Sequence, residues 1–145
     1  MAYFRFTKAI LAGEAIDVYN HGRMERDFTY IDDIVDGVVA VADRPPGGNP
    51  GWRADLPDPA ASFAPFRIFN IGGSRPVEVF RLIEIIEGEL GIRARMNFLP
   101  LQPGDVVATC ADNEDLRAVT GAQPVTPLEE GMKNFVRWYR DYYTC

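Results

Sequence analysis

The sequence predicts an α/β protein, mostly helices with a few short strands. Three observations lead there. Apolar residues recur at helical spacing in several segments, from Tyr3-Phe6-Ile10 near the start to Met132-Phe135-Tyr139 near the end. The strand-like runs are short and never follow each other closely. A helical pattern tends to follow a strand, which is the α/β order. The 145 residues, 47% of them hydrophobic, are enough for one domain with a real core.

The elements follow in order. Tyr3, Phe6 and Ile10 share a helical face, and Gly13 is a candidate C-cap. "IDVY" alternates Ile16 and Val18 with Asp17 and Tyr19, so it reads as a short strand. His21-Gly22 reads as a turn, and Phe28 to Ile31 as a second strand. Ile34, Val35, Val38, Val39 and Ala42 mark an amphipathic helix. Asp32 and Asp33 stand before it, where a carboxylate accepts orphan N–H groups; neighbours on a strand point to opposite faces, which is wrong for an acid/base pair.

Residues 44–66 break all periodicity. They hold Pro45, Pro46, Pro50, Pro57, Pro59 and Pro65 with Gly47, Gly48 and Gly51, and read as one long loop. "RIFNI", Arg67 to Ile71, reads as a buried strand. Ser74 is a candidate N-cap with Pro76 in the following first turn. Val79, Ile83, Ile86 and Leu90 form the next helical face, flanked by Phe80 and Leu82 and stopped by Gly91. Ala94, Met96 and Phe98 alternate with Arg93, Arg95 and Asn97 as an edge strand, and "LQPGDV" is a turn. Asp112 caps a short helix carrying Leu116 and Val119 and ending at Gly121. Thr126-Pro127-Leu128-Glu129 is a capping box, opening a helix with Leu128, Met132, Phe135, Tyr139 and Tyr142 on one face.

Charge and composition exclude several functions. The net charge is −6 with no basic block, which argues against nucleic acid and anionic membranes as partners. No run of about 18 apolar residues and no signal peptide pattern is present, so a cytoplasmic protein is expected. Cys110 and Cys145 have no metal spacing and the single His21 has no ligand-type neighbours, so no metal site is expected.

The candidate binding residues are few. Arg26 is either an ion-pair partner of Asp27 or a two-point grip on a phosphate. "QPGD", Gln102 to Asp105, is either a plain turn or a carboxylate that accepts bonds from a vicinal diol such as ribose. Tyr19 is either a half-buried aromatic or a lid on a planar base. No nucleophile–base set, no G-x-G-x-x-G and no Tyr-x-x-x-Lys occurs. No catalytic residue and no cofactor-binding residue is therefore assigned.

These residues carry a resemblance. "AYFRFTKAILAGEAIDVYNHGRMERDFTYIDDIVDGV", "SFAPFRIFNIGGSRPVEV" and "PLQPGDVVATCADNEDL" resemble the C-terminal part of bacterial and plant UDP-glucuronate 4-epimerases. These are NAD-dependent epimerases/dehydratases of the extended short-chain dehydrogenase group. "RDFTYIDDIV" alone points only to that wide group. The longer context, the Pro-rich loop ending in "APFRIFNIGG", and "QPGDV" point to the glucuronate epimerases. Departures from their pattern are Leu101 for methionine, Val107 for proline and Cys110 for tyrosine.

The resemblance implies that residues 1–145 are a UDP-sugar-binding C-terminal domain, with the NAD-binding Rossmann half lying upstream of Met1. It implies that "RIFNI" belongs to the edge of that Rossmann sheet. By resemblance Arg26 contacts the diphosphate and Asp105 the ribose hydroxyls. Val18 and Tyr19 line the uracil slot, Phe28 packs beside it, and Gln102 stands where related galactose-type epimerases carry a second phosphate-binding arginine. NAD is expected in the complete protein and not on this chain alone, which is expected to be inactive by itself. The expected partners are a UDP-sugar and either the Rossmann domain or a second copy. Two other readings remain: part of a related nucleotide-sugar decarboxylase or dehydratase, and a non-catalytic UDP-sugar-binding fragment.

Overall fold

The computed structural model describes residues 1–145. The chain forms two compact units. The first holds Met1–Phe28, Arg75–Cys110 and Thr126–Cys145, and the second holds Thr29–Ser74 and Ala111–Val125.

The first unit is built on a parallel strand pair. Helix α1 (Ala2–Leu11) buries Ile10 and packs Tyr3 and Phe6 against the same core. Its chain reverses at Gly13, whose φ of +69° is a left-handed conformation that a β-carbon disfavours. Strand β1 (Ala15–Val18) then buries Ile16 and Val18 and turns Ala15 and Asp17 outward, the period of two expected of a half-buried strand. A second strand, β2, spans Glu25–Asp27, and a third, β3, spans Pro76–Glu78. Strand β4 (Arg95–Phe98) runs parallel to β1, with Ile16 opposite Met96 and Val18 opposite Phe98. Asn97 Nδ2 donates to Asp17 Oδ1 across the pair at 2.9 Å.

Helix α3 (Val79–Leu90) supplies most of the core: Leu82, Ile83 and Ile86 are fully buried, with Ile85 and Leu90 close behind. This face is broader than the Val79-Ile83-Ile86-Leu90 stripe expected, because α3 packs against both α1 and the last helix and buries more than one stripe. Gly91, at φ +70°, ends it. Glu87 is buried there, and its carboxylate accepts the Ala94 N–H at 2.8 Å and an Arg93 N–H at 2.6 Å. That carboxylate ties the end of α3 to the start of β4.

The second unit contains α2 (Ile31–Ala42), the long loop and α4 (Glu114–Thr120). Leu116 is its fully buried anchor. Gly37 lies against Ile71, so closely that an added β-carbon would sit 3.1 Å from that side chain. α2 turns Ile31, Val35, Val38 and Val39 outward, each at least half exposed. The loop over 44–66 is ordered by its own contacts: Asn49 N–H donates to the Ser62 carbonyl at 2.8 Å, and Trp52 packs on Phe63 with ring centroids 5.7 Å apart. The "IGG" that follows is held by Asn113, whose side-chain amide accepts the Gly72 N–H at 3.0 Å and donates back to the Gly72 carbonyl. No helix is long and apolar enough to cross a membrane.

Several local expectations are corrected. The second strand is Glu25–Asp27, and Phe28 to Tyr30 lie outside it, because strand limits follow where partners lie. "RIFNI" is not a ladder strand: it makes one bridge, Arg67 to Ala61, and no strand pairs along it. Ser74 does not cap α3; Pro76 belongs to β3, and Glu78 stands at the helix boundary. Asp32 and Asp33 sit inside the first turn of α2, where they complement the helix dipole, and Tyr30 holds the boundary. α5 (Leu128–Tyr143) opens one residue later than its capping signal suggests, with Pro127 at the boundary. It buries Met132, Val136 and Tyr139, while Tyr142 is 68% exposed, so the buried face is rotated toward Val136.

Two outcomes follow for the first unit. Glu87→Ala leaves the partly buried Ala94 N–H without its acceptor, and it should cost about 1–3 kcal/mol in urea denaturation, with Glu87→Gln losing less. At the head of α5, the backbone N–H of Glu129 and the Arg81 guanidinium hold the Glu129 carboxyl below the usual carboxylate range. A lowered folded-state pKa stabilises above the unfolded pKa, and that contribution is lost as pH falls through the folded value. Glu129→Gln should therefore lower the unfolding free energy slightly at neutral pH, by no more than about 0.5 kcal/mol at this exposed site, and the gap to wild type should close below about pH 4.

Candidate functional site

The site begins with β2. Its Glu25–Asp27 backbone pairs antiparallel with β3, Arg26 opposite Val77. Its other edge is held by residues 107–109: Glu25 N–H donates to the Val107 carbonyl at 2.9 Å, and Thr109 N–H donates to the Glu25 carbonyl at 3.3 Å. Asp27 N–H donates to Thr109 Oγ1 at 3.2 Å. A three-residue strand with partners on both sides has little freedom, so the side chain it projects is well aimed.

That side chain is Arg26. Its Nη1 donates to the Glu25 carbonyl at 2.8 Å and to the Val107 carbonyl at 3.2 Å. Its Nη2 donates to Asp105 Oδ1 at 2.8 Å. The two side chains are 25% and 34% exposed, so the pair is partly screened and still open to solvent. Thus the two charged groups singled out from the sequence, 79 residues apart, lie against each other.

Asp105 is aimed by its turn. Gln102-Pro103-Gly104-Asp105 closes with Asp105 N–H donating to the Gln102 carbonyl at 3.1 Å. Gly104 takes φ +84°, the left-handed third position that a proline-glycine type II turn requires. Asp105 Oδ1 also accepts the Val106 N–H at 2.9 Å, which fixes the carboxylate beside the guanidinium. Gln102 is exposed on the same turn.

The other predicted residues lie around the end of β1. Val18 is buried in the core, so its side chain supports this region from beneath and presents no surface of its own. Tyr19 is half-buried and begins a 3-10 turn, Tyr19–Gly22. In that turn Asn20 and His21 take φ of +48° and +51°, and the His21 N–H donates to the Leu99 carbonyl at 3.1 Å. Left-handed φ at two consecutive non-glycine residues stores strain, and such strain gathers at binding sites. Gly22 is required here: an added β-carbon would sit 2.1 Å from the Phe80 ring. Phe28 is half-buried against the core of the same unit.

The sequence reading missed Val107 and Thr109. They act mainly through backbone groups that any residue carries, so no composition signal marks them. It also missed a cavity of about 640 Å³ in the second unit, walled by Pro46, Gly48, Phe66 and Phe69. Arg67 lies in its wall, paired with Asp115 at 2.8 Å and stacked 5.0 Å from the Phe69 centroid.

The chain is similar to known proteins in sequence and in fold. Residues 1–72 match the model of the NAD dependent epimerase/dehydratase family. The chain is 52% identical over 143 residues to an uncharacterized 37.6 kDa protein of Escherichia coli O111:H-, covering 99% of this chain and 43% of that protein. It is 44% identical over 144 residues to a probable UDP-glucuronate 4-epimerase of Rhizobium meliloti (strain 1021), covering 99% of this chain and 42% of that one. The crystal structure of a UDP-glucuronic acid 4-epimerase from Bacillus cereus, in complex with UDP-glucuronic acid and NAD, superimposes with a TM-score of 0.78. It is 26% identical, and the match covers 99% of this chain and 40% of that one. The chain thus spans about two fifths of the length of such relatives. Residues 1–72 thus resemble the NAD dependent epimerase/dehydratase family, and the fold of the chain matches part of an extended short-chain dehydrogenase.

Proposed function

We propose that this chain supplies the nucleoside-diphosphate grip of a UDP-glucuronate 4-epimerase, which interconverts UDP-glucuronate and UDP-galacturonate. The observation that carries the reading is the Arg26–Asp105 juxtaposition, at 2.8 Å. It sets a cation suited to phosphate beside a carboxylate suited to a diol. Those are the two polar features of a nucleoside diphosphate, and in such a ligand they are joined by one ribose C5′ link. The Bacillus cereus relative crystallised with UDP-glucuronic acid supports the choice of ligand.

In this reading Arg26 holds the diphosphate and Asp105 accepts the ribose hydroxyls. Tyr19, with Phe28 beside it and Val18 beneath, covers the uracil, and Gln102 reaches the phosphates from the turn. These contacts are made to the part of the substrate that does not react. Their role is to hold UDP while the sugar is free to present either face, so that binding energy from the nucleotide supports chemistry at the sugar. The residues present do not fit a dinucleotide: no glycine-rich strand-to-helix turn occurs in the sequence, and no tyrosine is followed four residues on by lysine. No redox or proton-transfer step is therefore assigned to this chain, and the nicotinamide chemistry of the complete protein rests on other residues.

UDP titrated into the 145-residue chain by calorimetry tests the reading. Arg26→Ala should weaken UDP binding by about 1.5–3 kcal/mol, the range for a hydrogen bond to a charged group. Arg26→Lys should recover only part of that, because the planar fork is lost. UDP affinity unchanged by Arg26→Ala, with the fold intact by circular dichroism, would remove the assignment.

A further inference from the structure

We propose that the cavity of about 640 Å³ in the second unit is a further binding site, and that it takes an acidic sugar, a polyhydroxylated ring bearing one anionic group. Every residue of its wall belongs to the second unit, and none serves the UDP reading above.

The long loop over 44–66 builds most of this wall. Ordered loops of such length are usually functional, and the UDP contacts leave this one unused. Its volume lies within the range of small-molecule sites, roughly 300–1,000 Å³. The wall is held in shape by bonds of its own. Trp52 Nε1 donates to the Asp58 carbonyl at 3.3 Å, the Ala60 N–H donates to Asp58 Oδ1 at 2.9 Å, and the Ile68 N–H donates to the Ala60 carbonyl at 2.9 Å. Gly48 is required there, since an added β-carbon would sit 2.2 Å from the Phe63 carbonyl oxygen.

The chemistry of the wall selects the ligand. Arg44 lines the cavity just past the end of α2, and its one hydrogen bond runs from Nη1 to the Ala40 carbonyl at 3.1 Å. It belongs to none of the ion pairs, so it brings a cation without a counter-charge. Arg67 adds a second guanidinium, steadied by the Phe69 ring and by Asp115 through Nη2, with Nε and Nη1 left to donate. Asn49 Oδ1 accepts the Gly51 N–H at 3.0 Å, which leaves its amide N–H groups unused. Asp58 spends Oδ1 on Ala60 and keeps Oδ2. A spare amide donor and a spare carboxylate acceptor suit hydroxyls, which both donate and accept. Phe66 and Pro46 add apolar surface, on which the C–H face of a sugar ring packs. A bare anion leaves Phe66 and Asp58 unused. A neutral sugar leaves Arg44 without its counter-charge, and an aromatic acid offers Asp58 no hydroxyl. A ring with hydroxyls and one anionic group meets all of these groups.

Titration of the 145-residue chain, followed through amide chemical shifts by NMR, tests the site. Galacturonate and galactose 6-phosphate supply the ring with two kinds of anionic group. Galactose lacks the charge, and acetate and inorganic phosphate lack the ring. At least one acidic sugar should move amides of the cavity wall and bind about five- to tenfold more tightly than galactose or the bare anions. Arg44→Ala should remove that gain, about five- to tenfold in affinity. Arg53→Ala is the control for net charge, because Arg53 is exposed on the same loop, pairs with Asp55 and does not line the cavity. It should leave the affinity unchanged. The site is overturned if neither acidic sugar moves those amides, if galactose or a bare anion binds as tightly, or if Arg53→Ala costs as much as Arg44→Ala. None of these results bears on UDP, whose proposed contacts lie in the first unit.

Discussion

The parallel pairing of β1 with β4 is the constraint on which the first unit depends. Parallel strands cannot be joined by a tight turn and need covering elements. Here α1 leads into β1 and α3 leads into β4, and both pack on the same core. The ladder continues past the strands, since Leu99 N–H donates to the Val18 carbonyl at 3.0 Å. That register sets where the chain leaves each strand. Tyr19–Gly22 turns away from the end of β1, and the segment leading to the Gln102–Asp105 turn leaves the end of β4. Two turns are thereby brought to the same end of one strand pair, which is where ligands of parallel α/β folds are met.

The binding chemistry is a second layer on that frame. β2 contributes one aimed guanidinium, and the residues after the Gln102–Asp105 turn run along its free edge. The same backbone bonds that complete the strand also anchor Nη1 of Arg26, so folding and orientation share one set of contacts. Nη1 is thus held by two carbonyls, and Nη2 is paired with Asp105. An acidic protein with net charge −6 needs such local focusing to hold an anion at all.

Much of the fold was legible because its signals are local. Gly13, Gly91 and Gly121 end helices at positive φ, a conformation that the residue type itself favours. The alternation in Ala15–Val18 and in Arg95–Phe98 survives as β1 and β4, with Ile16 and Val18 buried in β1, Met96 half-buried in β4 and Phe98 exposed. What failed depends on partners. "RIFNI" has the composition of a buried strand, yet a ladder is a property of two segments, and here Arg67 finds only Ala61. Val136 was missed because helical position relative to a neighbour, not hydrophobicity alone, decides which stripe of α5 is covered. At the site, Arg26 and Asp105 could each be named from local chemistry. Their contact could not, because 79 residues separate them and the segments are brought together by Glu25 bonds to Val107 and Thr109 through backbone groups that any residue carries.

The most direct measurement is a crystal structure of the chain with UDP bound. It should place a diphosphate oxygen within about 3 Å of the Arg26 guanidinium and the ribose hydroxyls at the Asp105 carboxylate, the ordinary hydrogen-bond reach. UDP bound elsewhere, with the phosphates away from Arg26, would contradict the account.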